Sequence, residues 1–174
     1  MDLSDNLVLV GPMGAGKSTV GRYLAQLLRL KFIDADIELE TRCGADIPWI
    51  FEIEGEAGFR IRETELLNEL CDRKNIVLAT GGGAVLSEKN RDVLKSCGKV
   101  VYLYATPQQI LKRTCQDKKR PLLQVENRKE AIERLVVERD PLYREIADLI
   151  VESEDGLSPQ SLAEKVVVQL RYLD

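Results

Sequence analysis

The residues best suited to chemistry in this chain are a glycine-rich run ending in Lys-Ser, followed at intervals by paired acids, arginines and a second glycine run. Gly11-Pro12-Met13-Gly14-Ala15-Gly16-Lys17-Ser18, followed by Thr19, fits the phosphate-loop pattern G-x-x-x-x-G-K-[ST] at every specified position. Glycines let the backbone curl so that successive N–H groups point inward, and a helix starting there adds the positive end of its dipole. Lys17 is placed to reach β- and γ-phosphates, and the Ser18 hydroxyl to ligate Mg²⁺. The pattern calls for a nucleoside triphosphate and magnesium, and is silent on what receives the phosphate.

Candidates for the receiving half lie downstream. Asp34-Ala35-Asp36 follows an apolar stretch. If the chain is still extended there, both carboxylates share a face, one for Mg²⁺ and one for an accepting hydroxyl. The alternative is an Asp capping a helix that begins near Ile37. Arg60 and Glu63 are three apart, so on a helix they share a face, either as a carboxylate-binding fork with its brace or as a surface ion pair. Thr80-Gly81-Gly82-Gly83 offers a backbone without side-chain walls, for close ligand approach or a sharp turn. Arg139, read as the end of a helical run, is either an anion ligand or a favourable charge at a helix C-terminus. Lys118-Lys119-Arg120 sits in a polar stretch from Cys115 to Asn127, a solvated loop or a lid over phosphates.

These groups need a scaffold, and the periodicities supply one. Strand signals at 7–10, 31–34, 76–79, 100–104 and 148–151 alternate with helical ones. The helical stretches are 20–28, 47–54, 58–70, 87–95 capped by Ser87, one entered at Pro107, 129–138, and one opened by Ser158-Pro159. That alternation predicts a three-layer α/β/α fold on a five-stranded, mainly parallel sheet. At 174 residues the chain suits one domain.

Composition narrows the chemistry. Apolar content of 44% and charge of 31% are ordinary for a soluble globular protein, and the net charge of −4 does not favour a nucleic-acid partner. No apolar run suits a membrane span, and the start lacks the features of a secretory signal, so a cytoplasmic protein is expected. Cys43, Cys71, Cys97 and Cys115 form no C-x-x-C pair. Histidine is absent, which excludes Ser-His-Asp and Cys-His catalysis and leaves acid–base work to carboxylates, Lys, Tyr, Cys or water.

Taken in order, G-P-M-G-A-G-K-S-T at 11–19, F-I-D-A-D at 32–36, G-F-R-I-R-E at 58–63, T-G-G-G at 80–83, R-P-L-L at 120–123 and R-D-P-L-Y at 139–143 resemble the bacterial shikimate kinases. The resemblance covers essentially the whole chain. It implies a P-loop NTPase fold of the nucleoside-monophosphate-kinase type, with substrate-binding helices at about 33–61 and a lid at about 112–125. It implies ATP as phosphoryl donor, with Gly14, Ala15, Gly16, Lys17, Ser18 and Thr19 on its phosphates, Arg113 beside the base and Arg120 as the lid arginine. Ser18, with Asp34 through water, would hold Mg²⁺. Shikimate's hydroxyls would meet Asp36, Gly82 and Gly83, and its carboxylate Arg60 and Arg139, with Glu63 bracing Arg60. Asp36, Lys17 and Arg120 would carry catalysis. A monomer binding only small molecules, ATP and shikimate, is expected. The family's nucleotide contact near the last helix has no clear match in Ser158-Pro159-Gln160. A gluconate-type kinase shares the chain length and the loop, but not the Arg60, Arg139 and G-G-G combination. A guanine-nucleotide switch would carry N-K-x-D, which this chain lacks.

Overall fold

The computed structural model describes residues 6–115, 127–153 and 156–173. Five strands, β1 (Asn6–Val10), β2 (Lys31–Asp34), β3 (Ile76–Ala79), β4 (Gly98–Tyr104) and β5 (Leu149–Glu152), form one sheet in the order β2-β3-β1-β4-β5. Every pairing is parallel. β1 and β3 are buried along their whole length, which is why both read as continuous apolar runs rather than alternating ones.

Among the described residues seven helices cover the sheet: α1 (Lys17–Leu28), α2 (Ala35–Cys43), α3 (Ile47–Cys71), α4 (Glu88–Cys97), α5 (Pro107–Thr114), α6 (Arg128–Ile146) and α7 (Pro159–Leu170). One core lies under α1 and α7, around Leu9, Leu24, Val101 and Val166. The other lies under α3, α4 and α6, around Val8, Leu67, Leu94 and Tyr143. The chain thus leaves β1 through α1 on one face and β3 through α4 on the other. β1 and β3 are neighbours, so their C-terminal ends flank a topological switch point, where open α/β sheets bind ligands. The glycine loop follows β1 and the second glycine run follows β3.

The structure departs from the expected elements in two places that matter for function. Asp34 does not continue an extended chain into Asp36: it closes β2 and caps α2, accepting from the N–H of Asp36 (3.1 Å) and of Ile37 (3.4 Å). The helical run expected to end near Arg139 continues through Pro141 to Ile146. Proline removes one i→i−4 bond, that to the Val137 carbonyl, and Val137 is 75% exposed, so the loss falls on the solvent side of the helix. α3 breaks as expected into two stretches, at Gly55 (φ 70°, ψ 178°). Among the described residues no helix is long and apolar enough to cross a membrane.

Gly98 shows how tightly the sheet's N-terminal edge is made. It pairs with Asn6, and a Cβ there would collide with the Asn6 carbonyl oxygen. Asn6 cannot easily yield, because its buried amide donates to the Arg73 carbonyl (2.6 Å) and accepts from the Ile76 N–H (3.2 Å). Gly98→Ala is expected to cost about 2–3 kcal/mol of stability, read as a lowered urea midpoint at unchanged slope.

Candidate active site

The loop after β1 has the backbone its glycines permit. Gly14 (φ 74°) and Gly16 (φ 93°) are both left-handed, and a Cβ on Gly11 would lie 2.5 Å from the Leu103 carbonyl oxygen. Gly16 caps α1 without a side-chain hydrogen bond, so the first-turn N–H groups of α1 face the loop's concavity. Lys17 is buried, its ammonium donating to the carbonyls of Gly11 (2.7 Å) and Pro12 (2.9 Å). The cation is thereby held across the mouth of the loop.

The two acids diverge. Ser18 Oγ donates to Asp34 Oδ2 at 2.5 Å, bringing two hard oxygen ligands together where α1 begins. No group of three or more Asp, Glu, Cys or His suited to a metal occurs among the described residues. That donor set suits Mg²⁺, which is commonly held by one or two protein oxygens with phosphates and water completing the shell. Asp36, in the first turn of α2, lies instead against the second glycine run, where a Cβ on Gly81 would come 2.8 Å from its Oδ1. Asp34 is therefore both the helix cap and the partner of Ser18, and Asp36 is left facing the glycines.

Beside the loop, α3 and α6 bring charge together. Arg60 donates to Glu63 Oε2 at 2.7 Å and to Glu56 Oε1 at 3.0 Å. Burial works against the Arg60 cation, but Glu63 and Glu56 outweigh it and hold the guanidinium above its ordinary pKa. Burial pushes the Glu63 carboxyl up, against the pull of Arg60, while Asp36 adds like-charge repulsion and Arg139 attraction. Arg139 is 5% exposed, and among the described residues its Nε has no hydrogen-bond partner. A buried, unsatisfied guanidinium N–H is costly to leave that way, and a bound anion would satisfy it.

Each glycine of 81–83 has its own reason. A Cβ on Gly81 would meet Asp36 and Glu63; on Gly82, the Met13 backbone nitrogen at 3.3 Å; on Gly83, the Arg60 guanidinium. The run is both the turn and the floor on which the acids, the loop and the arginine converge. Because the clash at Gly83 is with the end of a flexible side chain, Gly83→Ala should leave the fold intact and displace the Arg60 fork. If Arg60 binds the acceptor's carboxylate, the acceptor KM rises about tenfold and that for ATP stays put, as steady-state kinetics would show.

Arg113, on α5, donates to the carbonyl of Gly14 (3.3 Å) and to Ser153 Oγ (2.8 Å), bridging the loop to the end of β5. Gln109 donates to the carbonyl of the same serine. Arg120 lies outside the described residues, as do residues 116–125 of the expected lid. Sequence reasoning did not assign Tyr143, Glu56 or Ser153. Glu56 stands four residues before Arg60, a spacing that flags a helical pair. Tyr143 stands four after Arg139, but only if the helix passes Pro141. Ser153 meets Arg113 across 40 residues, and no local pattern announces it.

Comparison with known proteins decides the family. The sequence model of the shikimate kinase family matches residues 13–171. The chain belongs to the shikimate kinase family. The shikimate kinase of Pseudomonas paraeruginosa is 53% identical over 168 residues, covering 97% of each chain. That of Acinetobacter baumannii is 56% identical over 162 residues, covering 93% of this chain and 89% of the other. A solved structure, shikimate kinase from Acinetobacter baumannii in complex with shikimate, superposes with a TM-score of 0.94 at 54% identity, over 97% of this chain and 93% of that one. Shikimate kinase from Aquifex aeolicus, at 36% identity, gives 0.83, covering 95% of this chain and 96% of its own. The three-layer architecture described above is thus that of shikimate kinases.

Proposed function

We propose that this chain transfers the γ-phosphoryl group of ATP to the 3-hydroxyl of shikimate, giving shikimate 3-phosphate and ADP. The observation that carries the reading is the buried Arg139, its Nε unsatisfied, set with Arg60, Glu63 and Asp36 beside a phosphate-binding loop. Such a pocket suits a small hydroxylated carboxylate: two cations for the acid, one carboxylate for the reacting hydroxyl.

Phosphoryl transfer passes through a loose transition state, so positioning and charge stabilisation carry most of the catalysis. Lys17 and the loop N–H groups neutralise charge on the transferred group, and Arg120 would add its charge to theirs. Ser18 and Asp34 would hold Mg²⁺, which would supply further neutralisation of phosphate charge. Arg60 and Arg139 clamp the shikimate carboxylate, with Glu63 and Glu56 bracing Arg60. Asp36 orients the 3-hydroxyl and accepts its proton late. Gly82 and Gly83 let the ring approach the backbone. Arg113 flanks the base. The chain acts as a monomer with small molecules only, in the cytoplasm, where the free thiols of its four cysteines are at home.

A coupled assay of ADP release tests the reading, with shikimate, gluconate and nucleoside monophosphates offered as acceptors. Turnover is expected with shikimate alone. Preference for gluconate would transfer the assignment to that class of kinase, and preference for a monophosphate to the nucleotide kinases.

A further inference from the structure

The turn carrying Gly81, Gly82 and Gly83 is held from several sides, and one of its carbonyls is taken up by a side chain from another element. The Gly81 carbonyl accepts from the N–H of Ala84 (3.2 Å) and the Gly83 carbonyl from that of Leu86 (3.1 Å), both within the 3₁₀ turn Ala84–Leu86. Beyond it, Asn90 and Arg91 secure the carbonyls of Ala84 (3.0 Å) and Val85 (2.9 Å). The turn itself does not take up the Gly82 carbonyl. The phenol of Tyr143 does, donating to it at 2.5 Å from α6.

Tyr143 is 1% exposed and stands one helical turn after Arg139, on the same face. Its ring stacks at 4.9 Å on that of Tyr102, whose own hydroxyl donates to Asp140 at 2.8 Å, so the phenol is fixed from behind. Tyr143 and Arg139 line the same small pocket beside Pro12 and Met13 of the phosphate loop; burial raises the Tyr143 pKa, and the nearby Arg139 guanidinium pulls it back part of the way. Burial thus favours the neutral phenol, which donates to Gly82 from the same face of α6 that carries Arg139. On its other side Gly82 rests on the phosphate loop, near the Met13 nitrogen.

We propose that Tyr143 is a positioning residue for the acceptor: its hydroxyl sets the Arg139 guanidinium against the Gly82 backbone, fixing the spacing between the carboxylate clamp and the floor of the site. The inference rests on the shikimate reading above. It deepens that reading by placing acceptor recognition partly in a side chain that need not touch the acceptor.

Tyr143→Phe keeps the ring and removes the hydroxyl. In calorimetric titrations of the ligand-free protein, its Kd for shikimate is expected to rise about tenfold and its Kd for ADP to change by less than about twofold. With Arg139→Lys as background, the shikimate penalty of Tyr143→Phe is expected to shrink below about threefold, because the guanidinium it orients is gone. A purely structural role would lower the melting temperature and leave both dissociation constants of the folded protein unchanged, which would overturn the proposal. Equal weakening of ADP and shikimate would do so too, as would a full Tyr143→Phe penalty persisting in the Arg139→Lys background. Failure of the unmodified chain to bind shikimate is a separate result: it removes the substrate reading, and this inference with it.

Discussion

Asp36→Asn is expected to lower kcat about 100- to 10,000-fold while leaving the KM for ATP within about twofold. The substitution is nearly isosteric, and the space beside Gly81 is fixed, so an amide should occupy the same position. What it loses is the ability to take a proton from the 3-hydroxyl and the negative charge that orients that hydroxyl. Stability should not suffer. Asp36 raises the pKa of the buried Glu63 by like-charge repulsion, so neutralising it relieves an unfavourable interaction within the fold. A melting temperature equal to or slightly above that of the parent, together with collapsed turnover, separates a chemical role from a structural one. Near-parental kcat would mean that another group or water accepts the proton.

Arg139→Lys is expected to raise the KM for shikimate about 30- to 100-fold, equivalent to about 2–3 kcal/mol of lost binding. Burial sets the size of the effect. Arg139 is enclosed, and its Nε has no hydrogen-bond partner among the described residues. A guanidinium in that position is poised for a planar anion, which it can meet through two parallel N–H bonds. Lysine keeps the charge but offers a point rather than a fork, and its ammonium must also compete for Glu63. The KM for ATP should hold, because the phosphates are proposed to meet Lys17 and the loop amides instead. An unchanged shikimate KM would remove Arg139 from the clamp.

The donor half of the site was legible in the sequence because its chemistry is contiguous: strand, glycine loop, Lys17, Ser18 and helix follow one another within a few residues. The five strands were legible for a similar reason, since fully buried parallel strands are written as short apolar runs. Their lateral order was not, because pairing β1 with both β3 and β4 is a long-range event, and that order is what creates the switch point. From residue types and spacing the acceptor half was legible only as alternatives, among which the family resemblance chose. Asp34 and Asp36 allowed an extended or a capped geometry; the cap is local, through Asp34 Oδ1, but the contact of its other oxygen with Ser18, sixteen residues away, is not written in the segment. Pro141 concealed Tyr143, because a proline reads locally as a stop, whereas here its missing bond falls on the exposed side of a helix that tertiary packing carries onward. Arg113 and Ser153 met only through the fold.

The most direct test of the central claim is where the phosphate lands. With ATP, magnesium and shikimate, ³¹P–¹H correlation spectroscopy of the product should show a single phosphate ester coupled to the proton on C3, formed in step with ADP. An ester on another hydroxyl, or ADP and free phosphate without an ester, would contradict it.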